Sequence, residues 1–303
     1  MEIIKVAPRG YCKGVIRAIR MAMDCRKQYP DQKITILGML VHNHYVMEAL
    51  ALNHIQMIDD PNKTREQLLE EITEGVVIFT AHGIAPQVIE KARQKGLFCV
   101  DASCPDVLKT QNLVKEKLAD DYEILYIGKA KHPEAEAVCA LSKHIHFMEP
   151  ADPIPDLANQ RLFITNQTTM SVYDLKALFE KLKQRFPKAE FSEEICNATR
   201  IRQEAIAELT DVDVLYVVGD RFSNNSNRLA QIGKERGIPH VYLIDTVQDV
   251  EDEQFEQAKR VAVTAGASTP TYLTDQVITY LQHYDTNKQK PELELSALLG
   301  GII

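Results

Sequence analysis

Basic residues are in short supply. In 303 residues, 35 Lys and Arg face 43 Asp and Glu, for a formal net charge of −8. General nucleic-acid binders carry a basic face, so no nucleic-acid partner is expected. An anionic small molecule stays admissible, because local donors can hold a phosphate without net positive charge. No apolar run is long enough to span a bilayer, and no membrane association is expected. No basic n-region, apolar segment and small-residue cleavage site open the chain either. Glu2-Ile3-Ile4-Lys5-Val6 reads directly as a strand, and the expected location is cytoplasmic. In a reducing cytosol, six cysteines are thiols or metal ligands rather than disulfides.

What is present is the balance of an ordinary globular protein, 45% hydrophobic and 26% charged, with length for two or three domains. Its most informative feature is an internal repeat. Cys12, Cys104 and Cys196 are evenly spaced, 92 residues apart. Each follows a short extended run (Ile3–Ala7, Leu97–Val100, Glu190–Ile195) and precedes a stretch with helical periodicity (Val15–Asp24, Val107–Leu118, Arg202–Leu209). About thirty residues further on, each repeat shows a β-rich run ending in a polar loop: KITILGMLVHN, YEILYIGKAKHPE and VDVLYVVGDRFSNN. A second such run follows: GVVIFTAHGIAP, RLFITNQTTMS and RVAVTAGASTP.

The pattern predicts an α/β protein of three pseudo-threefold-related units with mostly parallel strands. The expected units are 1–101, 102–192 and 193–284, followed by a tail, 285–303, expected to be flexible or loosely docked. Polar loops at the carboxyl ends of parallel strands are where ligands bind in such sheets. If the units surround a pseudo-threefold axis, those loops face one cavity.

The three repeated cysteines are the candidate metal ligands. Glycines flank the first, in Arg9-Gly10-Tyr11-Cys12-Lys13-Gly14, and allow close approach of a bulky group. Pro105 after Cys104 suits a helix start, and a helix N-terminus favours a thiolate. Cubane clusters normally take four cysteines, so three leave one iron open. An open iron can act as a Lewis acid as well as pass electrons. A single cysteine is commonly just a small core hydrophobe, and zinc on three thiolates also fits the ligand type. The shared position in three repeats favours ligation, whereas Cys25, Cys99 and Cys139 break the pattern and are read as packing residues.

The strand-end loops supply further candidates. His42, His132, Ser223 and Asn225 lie 27 to 30 residues past the cysteine of their repeat, and the second loops carry His82, the Thr168-Thr169 pair and Ser268. Such donors, with nearby backbone N–H groups, can cradle an anion. Glu134, in His132-Pro133-Glu134, reads either as a proton donor among histidines or as a surface glutamate. His44, His54, His144, His146, His240 and His283 lack counterparts in the other repeats and are read as structural or solvated.

These segments resemble the LytB family, the 4-hydroxy-3-methylbut-2-enyl diphosphate reductases. The matching stretches are PRGYCKGV, VHN, AHG, DASCPDV, HPE, NQTTMS, EICNATRIRQEA, VVGDRFSNNSNRLA and VTAGASTPT, in order from Pro8 to Thr271. The resemblance implies a trefoil of three α/β domains around a central [4Fe–4S] cluster held by Cys12, Cys104 and Cys196, its fourth iron open to substrate or water. It implies Glu134 as proton donor, with Thr168 and His132 assisting. His42, His82, His132, Thr168, Ser223, Asn224, Asn225 and Ser268 would hold the diphosphate or the substrate hydroxyl. The reaction implied is reductive loss of that hydroxyl, the last step of the methylerythritol phosphate route, giving isopentenyl and dimethylallyl diphosphate. An external electron donor such as ferredoxin or flavodoxin would be its partner. Asn224, Lys131 and Lys13 depart from the residues common at those positions, which bears on the pocket rim. Two other readings stay open: a non-redox iron–sulfur hydro-lyase, and a non-catalytic metal-binding or sensor protein.

Overall fold

Short β-branched runs become the strands of three parallel sheets in the computed structural model, which describes residues 1–157, 161–300 and 302. The first stretch of chain forms β1 (Glu2–Lys5), α1 (Lys13–Gln28), β2 (Ile34–Leu37), α2 (His44–Ala51), β3 (Ile55–Ile58), α3 (Arg65–Glu70), β4 (Val76–Phe79), α4 (Pro86–Gln94) and β5 (Phe98–Asp101). The next forms α5 (Pro105–Ala119), β6 (Glu123–Ile127), α6 (Pro133–Cys139), β7 (Ile145–Met148), β8 (Leu162–Asn166), α7 (Val172–Arg185) and β9 (Glu190–Phe191). The last forms α8 (Asn197–Ala207), β10 (Val214–Val218), α9 (Asn224–Glu235), β11 (His240–Ile244), β12 (Arg260–Ala265) and α10 (Thr271–His283).

The three sheets share one topology. Their strand orders are β3-β2-β4-β5, β7-β6-β8-β9 and β11-β10-β12-β1, with every pair parallel. Parallel neighbours require crossovers, which the intervening helices and turns provide. The two central strands of each sheet are covered on both faces, so they read as continuous apolar runs: ITIL and VVIF are buried throughout, as is VLYVV. The expected α/β architecture of three units agrees with these three sheets.

Two compact units divide the chain. One comprises Met1–Met23, Val41–His54 and Asn197–Ile303; the other comprises Asp24–Leu40 and Ile55–Cys196. The first holds the β11-β10-β12-β1 sheet and the second holds the other two. In the second, one core gathers Leu37, Val77 and Phe79 against Leu68, Leu69, Val88 and Ala92 of α3 and α4. Another packs Leu125, Ile127 and Ile164 against Leu175, Leu178 and Leu182 of α7. Burying each such valine, leucine, isoleucine or phenylalanine stabilises by roughly 1.5–3 kcal/mol.

Strand membership differs from the linear repeat in one respect. The strand before each cysteine is the edge strand of a sheet built from the preceding repeat. For Cys104 and Cys196 that strand is β5 or β9, next along the chain. For Cys12 that strand is β1, which pairs in register with β12, Glu2 opposite Arg260 through Lys5 opposite Val263. The N-terminal strand, within the 1–101 segment, therefore lies in the sheet of the third repeat.

The tail is not loose. It makes a 3-10 turn at Leu295–Leu299, packed on α2, with Leu298 and Leu299 buried. The Tyr11 hydroxyl donates to the Leu298 carbonyl at 3.1 Å, and Arg20 Nε donates to that of Ile302 at 3.1 Å. Apolar burial anchors what charge and Pro291 had suggested would stay solvated; Gly301 and Ile303 of the tail lie outside the described residues. No described helix is long and apolar enough to cross a membrane.

Candidate active site

Cys12, Cys104 and Cys196 occupy one backbone setting three times over. Each donates its amide N–H to a carbonyl in the loop after the second central strand of a sheet. The acceptors are Ala267 after β12 (2.9 Å), Ala81 after β4 (2.9 Å) and Thr168 after β8 (3.0 Å). Those loops also carry Ser268, His82 and the Thr168-Thr169 pair. A helix begins directly after each cysteine, at Lys13, Pro105 and Asn197. The carbonyls of Cys12 and Cys104 accept its first-turn bonds, from Ile16 (3.0 Å) and Leu108 (2.9 Å).

All three thiols are half-buried, and no cysteine is in a disulfide. Cys25, Cys99 and Cys139 sit differently. Burial pushes the Cys25 and Cys139 thiols up to about 11 and raises Cys99, which keeps them neutral. Among the described residues no three His, Cys, Asp or Glu side chains gather at the spacing of a single metal ion. A cluster distributes its thiolates over several irons, so that spacing is not its requirement. A trio of sulfur donors in equivalent settings fits an iron–sulfur group by donor chemistry.

The turn before Cys12 depends on Gly10, at φ +79, where an added Cβ would lie 2.2 Å from Thr271 Oγ1 and 3.3 Å from its Cα. The Gly10 carbonyl in turn accepts from the buried Arg202 of α8 at 2.7 Å. Gly10→Ala should cost about 1–3 kcal/mol from the left-handed φ and the clash. The check is the thermal midpoint, with iron content measured alongside; an unchanged midpoint contradicts the expected strain.

In the Asp24–Leu40 and Ile55–Cys196 unit, Glu134 is the second residue of α6 and only 1% exposed. The surface-glutamate reading is thereby removed. Its Oε1 accepts from the Thr168 amide at 2.7 Å, and its Oε2 from the Thr168 hydroxyl at 2.9 Å. Burial pushes its carboxyl up to about 7 against the pull of those two donors. His132 caps α6: its Nδ1 accepts from the Glu134 amide at 3.2 Å, which puts the proton of a neutral ring on Nε2. The His82 and His132 rings meet edge to face at 5.6 Å between centroids. Glu134, Thr168, His132 and His82 are thus neighbours within this unit.

In the unit of Met1–Met23, Val41–His54 and Asn197–Ile303, the candidate anion donors lie just before α2, at the start of α9 and after β12. Ser268 Oγ donates to the His42 carbonyl at 2.9 Å. Ser223 caps α9, its Oγ accepting from Ser226 N at 3.3 Å, and Asn224 is the helix's first residue. Asn225 is 6% exposed, yet neither its amide nitrogen nor its amide oxygen has a partner among the described residues. A buried polar group without a partner costs about 1–3 kcal/mol, which makes this amide a candidate donor to a ligand. Lys131, at φ +59, takes a left-handed turn just before His132.

Two participants were not legible as such. Asp220, 1% exposed, holds the loop after β10 to the start of α2: its Oδ2 accepts from His44 Nδ1 at 2.8 Å and from His44 N at 3.0 Å. His44 therefore has a specific structural partner. The sequence signal for Asp220 was faint, a single carboxylate two residues past a fully apolar strand. The Tyr126 ring, completely buried on β6, packs beside Ala135 and Val138 of α6, behind Glu134.

Comparison with known proteins follows the same lines. A family profile described as "LytB protein" matches residues 3–282. A 4-hydroxy-3-methylbut-2-enyl diphosphate reductase from Geobacillus sp. (strain WCH70) is 48% identical over 295 residues, covering 95% of this chain and 92% of its own. The Anoxybacillus flavithermus protein of the same name is 46% identical, with 95% and 92% covered. Among solved structures, the E-1-hydroxy-2-methyl-but-2-enyl-4-diphosphate reductase from Plasmodium falciparum superposes with a TM-score of 0.87 at 30% identity, over 97% of this chain and 95% of that one.

Proposed function

The chain belongs to the LytB protein family, and from that premise we propose that it reductively removes the hydroxyl of 4-hydroxy-3-methylbut-2-enyl diphosphate to give isopentenyl and dimethylallyl diphosphate. It is an oxidoreductase by that kinship. The reductase names of its relatives set the hydro-lyase and the non-catalytic readings aside. The net step consumes two electrons and two protons, breaks one C–O bond and releases water. The observation that carries this reading is Glu134: a carboxylic acid 1% exposed, oriented by Thr168, with its pKa raised to about 7. A general acid works best with a pKa near the working pH, and a hydroxyl leaves only when protonated or otherwise activated.

Cys12, Cys104 and Cys196 are the residues that would hold a [4Fe–4S] cluster. When bound, such a cluster supplies electrons, refilled by an external donor such as ferredoxin or flavodoxin, and one iron open to a substrate oxygen. The protein's own part is binding, orientation and proton delivery. His42, His82, His132, Ser223, Asn224, Asn225 and Ser268 hold the diphosphate or the substrate hydroxyl, with the Asn225 amide the clearest donor in waiting. Fixing the diphosphate away from the cleaved bond turns binding energy into orientation of the reacting carbon. Thr168 keeps both Glu134 oxygens in place, so the acid is held in one rotamer. The proposed setting is the cytoplasm.

The pH dependence tests the proton donor. The acid form of Glu134 is the working form, and it is lost as pH rises through about 7. Turnover of the reduced holoenzyme should fall about tenfold per pH unit above that point. A flat rate from pH 6 to 9, with iron content constant, would contradict the assignment.

A further inference from the structure

The unit containing the Ser223–Asn225 loop also buries a charge that the proposed reaction does not call for. Asp220 lies three residues before Ser223, and its side chain is 1% exposed. A fixed carboxylate beside a site for a second anion lowers affinity unless it is offset. Three donors converge on it: Phe222 N to Oδ1 at 2.8 Å, and His44 N and Nδ1 to Oδ2 at 3.0 and 2.8 Å. A carboxylate only accepts, so His44 Nδ1 carries the hydrogen. Burial works to raise the Asp220 carboxyl, but the His44 and Phe222 donors outweigh it and hold the group below its usual value. His44 is 42% exposed, opens α2, and follows His42 by two residues. Asp245 and Asp249 add further negative charge nearby, with Arg221 opposing it.

We propose that Asp220 and His44 together position the diphosphate site and shield it from a buried carboxylate. Asp220 pins the loop of Ser223 and Asn225 to the loop of His42, and the His44 and Phe222 donors that it accepts draw its charge away from the substrate. Neither touches the reacting atoms; both act through the donors they hold. The inference rests on the diphosphate reading given above for His42, Ser223, Asn225 and Ser268.

The test uses holoenzyme of matched iron content and compares His44→Ala, Asp220→Asn and the double variant. The readouts are KM and kcat with substrate, and the inhibition constant of inorganic pyrophosphate. His44→Ala should raise KM and the pyrophosphate constant about tenfold with kcat within about twofold, because it leaves a buried carboxylate short of a donor. Adding Asp220→Asn should bring both constants back to within about threefold of the parent, since Asn still accepts from Phe222 N but carries no charge. Rescue by removing the partner's charge is not what a purely structural role gives. A His44→Ala variant with parental KM, or a double variant no better than His44→Ala, overturns the proposal. Should His44→Ala not accumulate as folded protein, His44→Leu removes the ring donor while filling the space and allows the same comparison. A parent enzyme that neither turns over the diphosphate nor responds to pyrophosphate would instead fail the underlying reading.

Discussion

Glu134→Gln should cut turnover by about a thousandfold while leaving iron content and substrate affinity near those of the parent. The amide is nearly isosteric and can reproduce both contacts to Thr168, its oxygen accepting from the amide N–H and its nitrogen donating to the hydroxyl. What it lacks is a proton to give. The same substitution carries a stability signature. The folded carboxyl is raised from 4.5 to about 7, so the folded state holds a proton that the unfolded state has released. The stability this contributes is fully present below about pH 4.5 and is lost as pH rises through about 7, on the order of 3 kcal/mol in all. Glu134→Gln removes that loss. In urea titrations at pH 8 the variant should be more stable than the parent, and the gap should shrink towards pH 5. A variant with normal turnover would remove Glu134 from the proton path, whatever its stability.

Cys104→Ala should abolish turnover and strip most of the iron and sulfide, with Cys12→Ala and Cys196→Ala behaving alike because the three occupy equivalent backbone settings. The contrast is Cys139→Ala. Its neutral, half-buried thiol packs against the core that contains Val138, so that variant should keep iron and activity and lose only about 1 kcal/mol of stability. Iron and sulfide analysis of anaerobically prepared protein separates the two classes. Full iron retention in Cys104→Ala, or iron loss in Cys139→Ala, would reverse the assignment of ligands and packing residues.

How much of this could be read along the chain varied with the kind of signal. The central strands announced themselves, because residues such as Val76–Phe79 and Val214–Val218 are buried on both faces and must be apolar throughout. The edge strands β3, β7 and β11 did not stand out. Ile55–Ile58 is buried at one end and exposed in the middle, and His240–Ile244 is mostly half-exposed, so neither shows a continuous run. The tail misled for the opposite reason. Its charges and Pro291 suggested solvation, while the two leucines that seat it are too few to register as a pattern.

Even spacing, strand-end loops and the donor types in them were set down by the sequence alone, because each is a local or periodic property. Three sulfur positions, three pairs of loops and their order were legible from that. The tertiary structure decided what depends on partners far away in the chain. It placed β1 in the sheet of the third repeat, 258 residues from its partner strand at the Glu2–Arg260 pair. It raised the Glu134 carboxyl by burying it, and it joined His44 to Asp220 across 176 residues. Protonation and charge balance are set by desolvation and by whichever donors fold against a group, and no spacing along a linear chain encodes those.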